Sequence, residues 1–131
     1  SEIRGLHLFR TKAKCMNCHS GPLLTDNLFH NSGFSGTDEG YYKITHLEED
    51  RGKFKTPSLR DVMKTGPWMH DGKQNNMLQI IEKFNTGDMP VGKDKLIQPL
   101  GLTKREKTDL LAFLQAISAP PLEFQKPVLP D

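Results

Sequence analysis

The residues best suited to chemistry lie in one short segment, Cys15-Met16-Asn17-Cys18-His19, which contains both cysteines of the 131-residue chain. Two thiols separated by two residues and followed at once by an imidazole form the C-x-x-C-H pattern of covalent haem attachment. The spacing lets both sulfurs reach the vinyl groups on one edge of a porphyrin while the histidine turns onto the iron. We predict that Cys15 and Cys18 bind one haem c and that His19 is an axial iron ligand.

Three other uses of these residue types are weaker. A redox-active dithiol of the thioredoxin kind follows a strand in a βαβ unit, and no such pattern surrounds Cys15. A structural zinc needs four ligands at characteristic spacings, whereas the nearest free histidines, His30 and His46, are irregularly placed. A plain disulfide or a chance match is disfavoured because both cysteines fall within one five-residue pattern. We therefore expect haem.

Composition and charge exclude further classes. The formal net charge is +2, and no block of basic residues alternates with aromatic residues, so we expect no nucleic-acid partner. No stretch approaches the roughly 20 apolar residues that cross a bilayer, and residues 1–5 lack the regions of a signal peptide. We expect no membrane span, and a processed protein or a fragment. Because c-type haem is attached outside the cytoplasm, we predict a periplasmic location.

The elements that must position the haem segment are predicted to be helices and long loops. Apolar residues recur at spacings of three and four near the start of the chain, namely Ile3, Leu6, Phe9 and Ala13. On a helix they share one face, which favours a first helix running into Cys15. From residue 21 to residue 50 turn-forming residues occur without a sustained period. A loop of this length needs something to wrap around, which a haem would provide.

Two shorter helices are predicted downstream of this loop. Thr56 and Pro57 favour a helix towards Met63, with Thr56 as its cap. A second helix follows the Asn75-Asn76 pair and ends at Gly87, a left-handed cap. The apolar face of this second helix is predicted to consist of Leu78, Ile81 and Phe84.

The clearest helix comes last. Thr103 and Glu106 form a capping box at its start. Apolar residues then continue with helical period up to Ala119-Pro120-Pro121, at Leu110, Leu111, Phe113, Leu114 and Ile117. We predict an all-α, cytochrome c-like domain over residues 1–121, with long loops around one covalent haem and the first and last helices crossing near it. Residues 122–131 are predicted to form a Pro-rich tail.

Together these motifs resemble the C-terminal haem domain of the bacterial di-haem cytochrome c peroxidases and their MauG-like relatives. The resemblance covers nearly the whole chain except the Pro-rich tail, and the ordered combination of motifs makes it specific. The segments that carry it are Gly5-Leu6-His7-Leu8-Phe9, Cys18-His19-Ser20-Gly21-Pro22-Leu23-Leu24-Thr25-Asp26-Asn27, Phe54-Lys55-Thr56-Pro57-Ser58-Leu59-Arg60-Asp61-Val62, Thr65-Gly66-Pro67-Trp68-Met69-His70-Asp71-Gly72, Pro99-Leu100-Gly101-Leu102-Thr103 and Asp109-Leu110-Leu111-Ala112-Phe113-Leu114.

The resemblance implies a division of labour between two haem domains. In such enzymes the N-terminal haem reduces hydrogen peroxide to water, and the C-terminal haem accepts electrons from a small donor such as a cytochrome c or a cupredoxin. This chain resembles the second domain, so an N-terminal haem domain is expected to precede it. The alternatives are a stand-alone monohaem electron carrier and a MauG-like oxidase domain with a reactive five-coordinate haem, in which His70 acts as an acid or a base.

The distal iron ligand stays open at this point. The family often has a Met or Tyr on the helix after His-Asp-Gly, and that position falls on Phe84, which cannot ligate iron. Met89, between that helix and the last one, is the first candidate, because small monohaem cytochromes place a ligand methionine there. Met69 is the next candidate. His70, Met77, another histidine or an open sixth position are the remaining choices, and any of these methionines can also simply fill a core gap.

Other residues carry secondary predictions. Arg60 is predicted to bond a haem propionate or to pair with a nearby aspartate, and Trp68 to border the haem or to anchor the core. Glu48-Glu49-Asp50 is predicted either to help bind a calcium ion in the full-length enzyme or to be a solvated loop. Scattered lysines either steer an acidic donor or are plain surface, at Lys12, Lys14, Lys53, Lys55, Lys64 and Lys73.

Overall fold

The computed structural model describes residues 1–89 and 93–120, together with 123, 126 and 127. Most of the predicted Pro-rich tail, residues 122–131, lies outside the described residues. Within them the fold is helix-rich, with α1 (Glu2–Arg10), α2 (Tyr42–Thr45), α3 (Met77–Thr86) and α4 (Lys104–Ala116). Short 3-10 turns lie at Cys15–Asn17, Glu48–Asp50 and Val62–Lys64. The two strands are β1 (Phe29–His30) and β2 (Phe54–Lys55). No helix of this described part is long and apolar enough to span a membrane.

The first and last helices pack against each other, as predicted. Gly5 makes their close approach possible, because a Cβ at this position would lie 2.0 Å from the carbonyl oxygen of Asp109. One turn further along, the rings of Phe9 and Phe113 are 5.1 Å apart and tilted. Arg4 closes the edge of the contact with two hydrogen bonds to the carboxylate of Asp109, at 2.8 and 3.0 Å. This helix pair forms the largest part of the core.

The predicted apolar face of α1 is wrong in part. Ile3 is 84% exposed and Leu6 is 39% exposed, whereas Gly5, Leu8 and Phe9 are buried. The buried face is rotated towards Gly5 because the absence of a side chain there lets α4 come closest. Spacing alone therefore identified the helix but not the side on which its partner lies.

The Gly87 cap of α3 and the capping box of α4 are confirmed, and Asn76 provides the N-cap of α3. The Asn76 side chain accepts from the Gln79 amide at 3.2 Å, and Gly87 ends the helix with φ of +65°. The Thr103 and Glu106 side chains cap each other's backbone amides at 3.3 and 2.7 Å. The predicted face of α3 needs correction, as Leu78 is 40% exposed. Its buried residues are Met77, Ile80 and Ile81, with Phe84 partly buried.

The segment predicted as a structureless loop, residues 21–50, contains β1 and α2. Phe29 pairs with Lys55 of β2 in a two-stranded antiparallel sheet, so the predicted all-α class is correct only as helix-rich. The ring of Phe29 stacks on Tyr41 at 3.9 Å, and the Arg51 guanidinium lies over the Tyr42 ring at 3.7 Å. Strands of two residues are too short to produce a detectable alternation in the sequence.

The helix predicted from Pro57 towards Met63 is wrong. Residues 57–60 are irregular, and only a 3-10 turn at Val62–Lys64 forms, after Asp61 with φ of +55°. The Pro57 carbonyl is 3.1 Å from the His19 ring, so this segment uses its backbone for a tertiary contact instead of a helix.

Candidate haem site

The orientation of His19 is fixed by two backbone carbonyls. Its Nδ1 lies 3.2 Å from the Leu24 oxygen and 3.1 Å from the Pro57 oxygen. Because carbonyls only accept hydrogen bonds, Nδ1 carries the proton, which leaves the lone pair of Nε2 available for a metal. Burial lowers the pKa of the ring, which keeps it neutral. A metal-ligating histidine has this arrangement, with its second nitrogen held by an outer acceptor.

The haem segment is a tight turn that follows α1. Lys14 takes a left-handed conformation with φ of +52°, and Cys15–Asn17 form one 3-10 turn. The His19 amide then donates to the Cys15 carbonyl at 2.9 Å, and the Asp26 amide donates to the Cys18 carbonyl at 2.8 Å. Both cysteines and His19 therefore come from one compact piece of backbone.

The two cysteines are unpaired thiols in distinct surroundings. Burial raises the pKa of the Cys15 thiol to about 12, and Cys15 packs against the core. A thiol that resists ionisation is poorly suited to redox exchange or to zinc binding, which both need a thiolate. A thioether carries no charge, so a buried site suits it. The donor set and the hydrogen bonds of His19 fit a covalently attached haem.

Arg60 and Trp68 both donate to backbone carbonyls, and only the Arg60 bond reaches the loop that follows His19. Arg60 Nε donates to the Pro22 carbonyl at 2.8 Å, in the loop that follows His19. Trp68 Nε1 donates to the Val62 carbonyl at 2.7 Å, and its ring packs against the core. The contacts of Arg60 and Trp68 with a haem remain predictions.

The three candidate methionines have different environments. Met77 is buried in the core, as expected of a gap-filling side chain. Met69 is partly buried and has φ of +69°, an uncommon conformation for a non-glycine residue. Met89 lies against Gly33, where an added Cβ would come 2.7 Å from the Met89 Cβ. Gly33 itself has φ of +82°, so both backbone and space require glycine there.

His70 and Phe84 lie in aromatic pairs. The His70 ring stacks on Phe54 at 3.9 Å, and its Nε2 lies 3.9 Å from an Asp38 oxygen. Phe84 packs at 5.5 Å against Phe34, from the loop that follows the haem segment. The Asp38 carboxylate therefore lies near the His70 ring. A catalytic role for His70 stays a prediction.

The predicted acidic and basic surface groups mostly pair with each other. Glu48 pairs with Arg51, and Asp50 pairs with Lys53 at 3.0 Å. Of the six lysines predicted to steer a donor, four form ion pairs, Lys12 with Glu106, Lys53 with Asp50, Lys64 with Asp61 and Lys73 with Asp71. These ion pairs partly neutralise the acidic residues that were predicted to bind calcium and the lysines that were predicted to steer a donor.

A bridge that sequence reasoning missed joins Asp26, His30 and Asp94, and is called the His30 bridge below. His30 Nε2 lies 2.8 Å from Asp26, and its Nδ1 lies 3.0 Å from Asp94. Burial alone would lower the pKa of His30, but the two carboxylates outweigh it and the pKa is raised. No sequence pattern marks such a contact, because Asp94 is 64 positions from His30.

The thiol of Cys18 lies next to this bridge. Its sulfur and ligand atoms of Asp26 and His30 lie within 4.8 Å of one another, a grouping compatible with a metal ion. The direct hydrogen bonds of His30 to both carboxylates already satisfy its two ring nitrogens, and haem attachment would consume Cys18. We therefore interpret the grouping as an ion-pair bridge beside the haem segment.

Comparisons with known proteins find relatives of two related kinds, cytochrome c peroxidases and MauG proteins. No family model matches the chain. It is 37% identical over 161 aligned positions to the cytochrome-c peroxidase IdrP1 of Denitromonas iodatirespirans, covering 97% of this chain and 43% of that protein. It is 37% identical to the methylamine utilization protein MauG of Methylorubrum extorquens, covering 97% of this chain and 37% of that one.

Solved structures agree with these relatives. A MauG-like protein associated with microbial copper homeostasis superposes with a TM-score of 0.80 at 31% identity, over 88% of this chain and 43% of that one. The di-haem peroxidase BthA of Burkholderia thailandensis superposes with a TM-score of 0.61 at 21% identity, over 88% of this chain and 42% of that one, which supports the fold alone. The chain spans less than half the length of these relatives.

Proposed function

Because this chain belongs to the family of cytochrome c peroxidases and MauG proteins, we propose that it is the electron-transfer haem domain of a di-haem peroxidase. In this proposal it accepts electrons from a small donor and passes them to a peroxide-reducing haem in another domain of the same protein. The chain contains a single C-x-x-C-H segment and spans 43% of its peroxidase relative, which leaves room for a second domain.

One observation carries the proposal, the hydrogen bonds of His19 to Leu24 and Pro57. They fix the ring as the neutral tautomer with Nε2 free, as an axial ligand requires. Cys15 and Cys18 would attach the haem covalently, with Arg60 holding the loop that follows His19. A bound haem would supply one-electron redox chemistry, whose potential depends on the distal ligand and on burial.

We assign the distal position to Met89. It lies in the connection between α3 and α4, and Gly33 brings it against the loop that follows the haem segment. The Met77 side chain is buried in the hydrophobic core, and the partly buried Met69 side chain packs against that core. A thioether ligand would raise the reduction potential, which suits a domain that receives electrons.

The experiment uses the full-length parent protein, produced in a bacterium that exports it and attaches c-type haem. We expect a periplasmic product with two covalent haems, and a digest in which one haem remains on the peptide containing Cys15 and Cys18. After reduction by a small cytochrome c or cupredoxin, peroxide should reoxidise both haems. A parent protein with one haem, or with this domain colourless, would refute the proposal.

A MauG-like oxidase is the second candidate, favoured by the relatives named MauG and by Phe84 at the family's usual ligand position. In that case this domain serves oxidation of an organic or protein substrate. Cyanide binding to the oxidised protein separates the two candidates. Rapid binding at this domain's haem would favour an open distal side, and slow or absent binding would favour Met89 ligation and electron transfer.

A further inference from the structure

The His30 bridge joins the loop that follows the haem segment to the connection between α3 and α4. Asp26 belongs to the loop after His19, and its amide donates to the Cys18 carbonyl at 2.8 Å. Asp94 lies beyond Met89 in the connection between α3 and α4, and its amide donates to the Asn31 carbonyl at 2.7 Å. One imidazole therefore ties the haem-attachment loop to the connection that carries Met89.

This bridge requires a doubly protonated imidazole. A neutral ring has one N–H and can donate to only one of the two carboxylates, whereas an imidazolium can donate to both. Both carboxylates accept other hydrogen bonds that favour ionisation, from the amides of Leu28 and Leu96. The side chains of His30, Asp26 and Asp94 are 17%, 13% and 26% exposed, so water screens their attraction only in part.

Few other charged groups act on the bridge among the described residues. Lys53 acts on Asp94 at longer range, and the charge of His30 is felt at His19. The sulfur of Cys18 lies beside Asp26, and β2 contributes Phe54, which pairs with the His30 backbone. Loss of the His30 proton would therefore leave two carboxylates facing a neutral ring, with Lys53 as the nearby positive charge.

We propose that His30 is a positioning residue for the distal side of the haem site, holding the connection that carries Met89 against the haem-attachment loop while His30 is protonated. This inference rests on the proposed function, because it takes Met89 as the distal ligand. The Met89 amide donates to the Gly87 carbonyl at 2.9 Å, and its side chain lies against Gly33. When the ring loses its second proton, it can donate to only one of the two carboxylates, so the side-chain link between Asp26 and Asp94 is broken and the Asn31 carbonyl still accepts from the Asp94 amide.

The sign of the pH dependence follows from the raised pKa of His30. The bridge is complete below about pH 6.5, the pKa of an unperturbed histidine, and it is lost as the pH rises through the higher pKa of the folded state. At the acid end it is lost as Asp26 and Asp94 become protonated. The proposal therefore predicts that Met89 is released as the pH rises through the raised pKa of His30.

The test is a pH titration of the full-length, haem-loaded protein, followed by its optical spectrum and by hydrogen exchange of the Asp94 amide. The native protein should lose the sulfur-ligand signal and Asp94 protection in the same one-proton step. His30→Gln, which cannot titrate, should lack this step. Asp94→Asn should move the step about one pH unit lower, a tenfold change in proton affinity, because one carboxylate charge is removed. His7→Gln, the same substitution at an exposed helical site, should leave the step unchanged.

Two results would overturn the inference alone, and a third would overturn the assignment of Met89 on which it rests. Equal Asp94 protection at every pH in native protein and His30→Gln would show that the bridge does not hold this connection. An unshifted step in Asp94→Asn would show that the charge of the bridge does not set it. A spectrum unchanged by Met89→Ala at neutral pH would refute Met89 as ligand, and Asp94 exchange would still report on the bridge.

Discussion

At the scale of single residues, the site depends on which atoms are left free by hydrogen bonding. His19 has its Nδ1 occupied by Leu24 and Pro57 and its Nε2 available. Cys15 is a buried thiol that resists ionisation. Backbone carbonyls and burial are the main causes of the protonation states that the proposed haem attachment requires of these two residues.

Met89 and Met69 can be distinguished by substitution. We expect Met89→Ala to remove the sulfur-ligand band of the oxidised protein and to lower the reduction potential of this haem, because a thioether ligand favours the reduced iron. Met69→Ala should leave the band in place. Optical and redox titrations of the full-length protein measure both effects. Loss of the band in Met69→Ala, with Met89→Ala unchanged, would reverse the assignment.

The acid stability of the protein should depend on Asp26. Burial alone would raise the pKa of Asp26, but hydrogen bonds from the Leu28 amide and His30 lower it to about 2. Its contribution is therefore complete above about pH 3.9, the ordinary value, and is lost as the pH falls through about 2. Urea unfolding at several pH values should show this loss in native protein and a flatter profile in Asp26→Asn. Parallel profiles would contradict the prediction.

At the scale of elements, the contact between α1 and α4 depends on Gly5, which has no side chain. A Cβ on Gly5 would lie 2.0 Å from the Asp109 carbonyl oxygen, and backbone cannot move aside cheaply. We expect Gly5→Ala to lower the free energy of unfolding by about 1–3 kcal/mol, as overpacking does. Ile3→Ala, on the exposed side of α1, should change it by less than about 0.5 kcal/mol. Denaturant unfolding of both variants provides the comparison.

The start of α4 offers a matched pair of threonines. Thr103 caps the helix through the Glu106 amide, whereas Thr108 lies inside the helix and its hydroxyl bonds the Lys104 carbonyl. Thr103→Ala should cost about 1 kcal/mol of stability because an amide loses its cap. Thr108→Ala should be neutral or slightly stabilising, since alanine is the better helix former. Equal losses in urea unfolding would mean that capping does not explain the effect.

At the scale of the whole molecule, charge pairing limits long-range attraction. The formal net charge is +2, and four of the six predicted steering lysines have acidic partners. We expect the rate at which an acidic donor reduces the full-length protein to fall only weakly as salt is raised. Stopped-flow measurements over a range of ionic strength test this. A steep decrease would instead indicate a strong electrostatic attraction between the donor and the full-length protein.

Three local signals in the sequence predicted their elements correctly. The Thr103 and Glu106 box, the Gly87 cap and the existence of α1 were all predicted, because each depends on residues a few positions apart. The helix predicted after Pro57 failed for the opposite reason. Its backbone contacts His19, which is 38 positions away, and no local preference reports such a contact.

The sequence by itself was enough to predict the chemistry of this protein, since one five-residue segment contains both thiols and the imidazole that a c-type haem needs. Only the tertiary structure decided which carbonyls hold His19, which face of α1 is buried, and that His30 lies between Asp26 and Asp94. The physical reason is one of distance along the chain. The spacing of the two cysteines and the histidine can be read from neighbouring residues. Hydrogen bonds and packing between loops depend instead on where distant segments of the chain meet.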